Sequence, residues 1–65
     1  MNNELINNIR NAAKNNTLES FIASCTWDII YPFEGCTQYF KDGISLAVFD
    51  DEAPVLYTPT GAVTL

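Results

Sequence analysis

From residue 32 onward the chain is punctuated by turn-forming residues at short, even intervals. They fall at 32–35, at Asp42 and Gly43, at 50–53 just before Pro54, and at 58–61. Between them lie the short runs CTQYFK, ISLAVF, PVLYT and AVTL, rich in β-branched and aromatic residues. Asp42 and Gly43 are the strongest hairpin signal, because both tolerate the positive φ that a type I′ turn requires. Pro54 suits the first position of a strand, or an edge. This punctuation predicts a small antiparallel β-meander of about four strands over residues 26–65.

The N-terminal part has a different period. In NELINNIRNAAKN, residues 3–15, Leu5, Ile6, Ile9, Ala12 and Ala13 follow the spacing of one apolar helical stripe. Asn2 or Asn3 can cap the first turn, and Glu4 suits the positive end of the helix dipole. Asn15 and Asn16 provide a stop. Seven of the first 16 residues are asparagine, whose amide competes for backbone hydrogen bonds. The helix therefore depends on packing against the rest of the chain. Residues 17–25 read either as a helix or as a strand. As a helix, Thr17 caps and Leu18, Phe21, Ile22 and Cys25 form a stripe; as a strand, Phe21, Ala23, Cys25 and Trp27 share a face. TWDIIY reads as strand. The expected architecture is α+β: one N-terminal helix, or two, packed on the meander as a single domain over residues 1–65.

At 65 residues, burial barely offsets the cost of ordering the chain, so a staple or a partner commonly completes such a domain. Apolar residues make up 48%, which argues against disorder. Eight acids and three bases give a net charge of -5. That balance argues against direct nucleic-acid binding and against an anionic membrane surface. The N-terminus has no apolar h-region, and no apolar run is long enough to span a bilayer. A cytoplasmic location with reduced thiols at Cys25 and Cys36 is expected. The two cysteines form no CxxC, and there is no histidine to complete a zinc set or a nucleophile–base pair. No phosphate-loop or dinucleotide motif occurs, so the chain is read as non-enzymatic and without a cofactor.

The meander gives the acids an address. Successive hairpins place their turns at alternating ends of a sheet, so Glu34 joins Asp50, Asp51 and Glu52 at one end, while Asp42 lies at the other. Grouped carboxylates repel, and a cation relieves them. A divalent metal is one such cation, although the spacing does not match a calcium loop; a basic protein surface paired through arginine forks is another, and a plain solvated turn needs neither. Tyr39 alternates with Phe40, and Phe49 with Val48, so either aromatic surface stays exposed on the sheet face the helices leave open, or a second helix and the curvature of the chain bury both faces. The candidate partner-binding residues are Glu34, Asp50, Asp51, Glu52, Tyr39 and Phe49, with no metal site. The expected partner is another protein with a basic surface. Small acidic inhibitors of phage or mobile-element type, which dock on nucleic-acid-binding proteins, share this compositional profile. The alternative is a structural subunit that forms homo-oligomers through an edge strand or an open face, its acids serving only solubility.

Overall fold

Helix α1 (Asn3–Lys14) forms where the apolar spacing places it, in a computed structural model that describes residues 3–65. Asn3 lies within the helix, and Asn2 lies outside the described residues. The stop comes at Asn16, which adopts a left-handed φ of 58°. Its amide donates to the Ala13 carbonyl at 3.2 Å, and the Thr17 amide donates to the Ala12 carbonyl at 2.8 Å. This paired closure satisfies the last carbonyls of the helix, and asparagine is one of the few residues that accepts the backbone it needs.

Residues 17–25 resolve in favour of helix. Helix α2 (Leu18–Ala23) turns Leu18, Phe21 and Ile22 toward the core. Thr17 precedes it but makes no side-chain cap; its hydroxyl donates back to the Ala12 carbonyl at 3.3 Å. The helix is tied to the sheet by Trp27, whose indole N–H donates to the Ile22 carbonyl at 2.9 Å. The same ring packs edge-on against Phe21 and Tyr39, with centroids 6.4 and 5.9 Å away.

The sheet has five strands, β1 (Asp28–Phe33), β2 (Cys36–Lys41), β3 (Ile44–Phe49), β4 (Val55–Thr58) and β5 (Gly61–Thr64), each antiparallel to the next and adjacent in sequence order. The runs CTQYFK, ISLAVF, PVLYT and AVTL supply β2 to β5, and β1, from the segment TWDIIY onward, is the fifth. Strand β1 continues through Pro32, where a turn was expected, and its register shifts between Ile30 and Phe33. An outer strand accommodates this, because the missing N–H of proline removes no ladder bond on the open side. The turn shrinks to Glu34 and Gly35, with Gly35 at φ 85°. At the next turn Asp42 and Gly43 take φ values of 50° and 82°, the type I′ geometry.

Register sorts the side chains onto two faces. Ile29 pairs with Tyr39, Tyr39 with Leu46, Leu46 with Leu56 and Leu56 with Val63, one apolar row across all five strands. Both helices pack on this face, where Ile9 meets Ile44, Leu46 and Leu56. The core is thin: among the described residues only Ile9, Leu46 and Leu56 have fully buried large side chains. Full burial of one such side chain stabilises by about 1.5–3 kcal/mol. No helix among the described residues is long and apolar enough to cross a membrane.

Candidate functional site

The ladder between β2 and β3 ends at the pair Cys36 and Phe49. One further bond extends it: the Asp50 amide donates to the Gly35 carbonyl at 3.0 Å. The two turns of this end are thereby pinned side by side. A Cβ at Gly35 would stand 3.5 Å from Asp50 Oδ2, so the Asp50 carboxylate lies directly over that turn, next in sequence to Glu34. Asp51 and Glu52 continue the second turn. All four acids are exposed, and none makes an ion pair among the described residues. No ion pair joins a base to them. Arg10 and Lys14, on α1, flank Val63, Thr64 and Leu65, and the Leu65 amide donates to the Pro54 carbonyl just after the second acidic turn, while Lys41 donates to the Thr26 carbonyl at 3.4 Å, toward the opposite end of the sheet.

Tyr39 and Phe49 are not neighbours on one surface. Alternation along β2 places Tyr39 opposite Leu46, so it faces the helices, half-buried beneath Trp27. Its expected place on an open aromatic face is corrected accordingly. Phe49 lies on the other face, its ring 6.4 Å from that of Phe33. Both are paired with Cys36, which they cover from either side.

The helices leave part of their own face uncovered. Between α2 and the acidic end of the sheet lies an open cleft of about 1260 Å³. Leu18, Ile22, Trp27, Ile29, Tyr39 and Val48 form its apolar walls, and Glu19 and Asp50 contribute carboxylates. No lysine or arginine lines it. Sequence reasoning did not single out Glu19, Trp27 or Ile29 for this site. The available signal was the lone tryptophan, placed one side of a strand with Ile29. The cleft became visible only once α2 had a position.

Among the described residues no group of three or more acids and cysteines is arranged to hold a metal ion. Cys25 and Cys36 are free thiols, the first half-buried and the second buried. The arrangement supplies carboxylate acceptors at one end and an apolar recess beside them. Guanidinium and ammonium groups fit the first, and an aliphatic or aromatic side chain fits the second. The fold and site thus define a small α+β domain, a two-helix layer on a five-stranded antiparallel meander with an acidic end. No protein-family model matches the chain, and no curated protein or solved structure is detectably similar to it.

Proposed function

We propose that this chain is a non-catalytic protein-binding module that docks its acidic end on a basic protein surface. One observation carries the reading: the Asp50–Gly35 hydrogen bond holds two acidic turns together, and among the described residues no ion pair neutralises their carboxylates. Four carboxylates on one rim raise the local negative potential, which steers a cationic partner and is screened by salt. The adjoining cleft gives the contact an apolar anchor, which charge alone does not provide. A partner whose basic surface ordinarily holds nucleic acid would be inhibited, because the carboxylates occupy the positions of phosphates. In this reading the chain contacts neither nucleic acid nor membrane itself and needs no cofactor.

The test is capture of partners from source cells at low ionic strength, repeated with Asp50→Asn/Asp51→Asn. The expected result is a basic protein that binds wild type more than tenfold tighter than the double variant, a difference of about 1.4 kcal/mol. Binding that is equally tight in the variant, and indifferent to salt, would rule the electrostatic docking out.

A further inference from the structure

We infer that the cleft between α2 and the acidic turns is a peptide-binding groove. It takes a segment of the partner in which an arginine or lysine stands within two positions of an aromatic or large aliphatic residue. The inference rests on the docking reading above and names the element of the partner that is held. Leu18 and Ile22 reach the cleft from α2, and Ile29, Tyr39 and Val48 reach it from the sheet face that the helices only partly cover. Ile29 is 47% exposed, although it shares an apolar row with the fully buried Leu46 and Leu56. Trp27 stands in the wall and is fixed by the indole bond to the Ile22 carbonyl and by its edge-on contacts with Phe21 and Tyr39. A wall held in this way loses little freedom when a ligand arrives.

Size and charge together select the occupant. At about 1260 Å³ the cleft exceeds the roughly 300–1,000 Å³ of a site for one small molecule, so it has room for several side chains. Among the described residues its only charged groups are carboxylates, Glu19 from the first turn of α2 and Asp50 from the turn after β3. A cation is therefore drawn from both sides of the opening. Glu34, Asp51 and Glu52 lie beside Asp50 and add to the same potential. Arg10 and Lys14 open on a separate groove, which shares Ala13 and Leu65 with the cleft. An acidic segment or a nucleic acid is repelled here, and a purely apolar segment leaves both carboxylates without a counter-charge. Arginine beside an apolar residue meets both demands. Its guanidinium forks onto a carboxylate and stacks on rings such as those of Trp27 and Tyr39, and its stem lies along the apolar floor. An exposed ion pair alone contributes little, so selectivity comes from joining the charge to the neighbouring apolar anchor.

Trp27 is the only tryptophan and stands in the cleft, so its fluorescence reports occupancy. The probes are glycine–serine heptapeptides, blocked at both ends, that carry two arginines and one phenylalanine at every spacing of one or two positions. At least one is expected to give a saturable change with a dissociation constant of roughly 100 µM at low salt. Serine in place of the phenylalanine, or glutamate in place of the arginines, is expected to weaken it at least tenfold. Glu19→Gln is expected to weaken binding about threefold, the size of an exposed ion pair. Ile29→Lys, which sets a cation in the cleft, is expected to weaken it at least tenfold. Ile30→Lys, equally exposed on the opposite sheet face, is expected to bind as wild type does. Circular dichroism establishes that each variant is folded; if Ile29→Lys is not, Glu19→Gln and the serine and glutamate peptides decide. The inference is overturned if no arginine–phenylalanine peptide gives a saturable change, if the glutamate peptides bind as tightly, or if Ile29→Lys and Ile30→Lys bind alike. Partner capture separates this inference from the docking reading. A basic partner lost with Asp50→Asn/Asp51→Asn but kept by Ile29→Lys overturns the groove and leaves acid-end docking standing. Peptides that bind the cleft when no basic partner is captured remove the docking reading and leave the groove standing.

Discussion

The amide of Asp50 donates to the carbonyl of Gly35 across 3.0 Å, joining two turns that are separated by a whole hairpin in sequence. Gly35 holds φ 85° to present that carbonyl, a conformation that costs an L-residue about 1–2 kcal/mol. Gly35→Ala is therefore expected to lower stability by about that amount in urea unfolding. The cost comes from backbone strain, since the added methyl meets Asp50 only at ordinary contact distance. Asp50→Asn keeps the amide donor and removes one of the crowded charges. It is expected to be no less stable than wild type, and to gain less from added salt. A large loss of stability in Asp50→Asn would show that its carboxylate does structural work beyond the observed bond.

Leu46 sits at the centre of the apolar row and is fully buried against Ile9, Ile44 and Leu56. Leu46→Ala is expected to cost about 2–5 kcal/mol through lost burial and the cavity left behind. A chain of this length has a total stability of only about 3–10 kcal/mol. The variant should therefore melt at least about 10 °C lower than wild type. Calorimetry showing a fall of only a degree or two would mean that the two layers close over the gap, or that this row is not the centre of the core.

The parts of the fold legible in the sequence were those set by local chemistry. Asp42 and Gly43 read as a hairpin because few other pairs adopt positive φ at both positions, and they do so here. The strands Cys36–Lys41 and Ile44–Phe49 followed from that turn. Residues 17–25 were not decidable, because Phe21 lies on an apolar side in either period. The Trp27–Ile22 hydrogen bond and the packing of Phe21 on Trp27 decide it, and both involve chain that lies beyond the segment. Pro32 read as a turn because proline usually ends pairing; an outer strand is the exception. At the candidate site, alternation separated Tyr39 from Phe40 but could not tell which face the helices cover. That information lies in the docking of α1 and α2. The nearness of Glu34 to Asp50 was readable, because an up-and-down order of short hairpins leaves few other placements.

Trp27 joins the second helix to the sheet, and its two roles can be separated. Trp27→Phe keeps a ring between Phe21 and Tyr39 but deletes the indole donor. The Ile22 carbonyl still accepts from the Cys25 amide at 3.3 Å, so it is not left without a partner. The expected cost is about 1 kcal/mol, that of an ordinary net hydrogen bond. Trp27→Ala also removes the edge-on contacts and much of the cleft wall, and is expected to cost about 3 kcal/mol or more. Equal losses in both variants, measured by denaturant titration, would assign the whole effect to the hydrogen bond.

Asn16 offers a gain in stability. Its φ of 58° closes helix α1 through the bonds from Asn16 and Thr17 to the Ala13 and Ala12 carbonyls. Glycine takes this conformation without strain, and alanine does not. Asn16→Gly is expected to hold stability or raise it by a few tenths of a kcal/mol, because relief of strain slightly exceeds the added freedom of the unfolded chain. Asn16→Ala is expected to lower it by about 1 kcal/mol. The ordering Gly ≥ Asn > Ala in thermal midpoints is the signature of a left-handed closure. If Asn16→Ala instead matched or exceeded wild type, the helix would be continuing through residue 16 into residues 17–23. The angle between α1 and α2, and with it the cleft beneath α2, would then have to be redrawn.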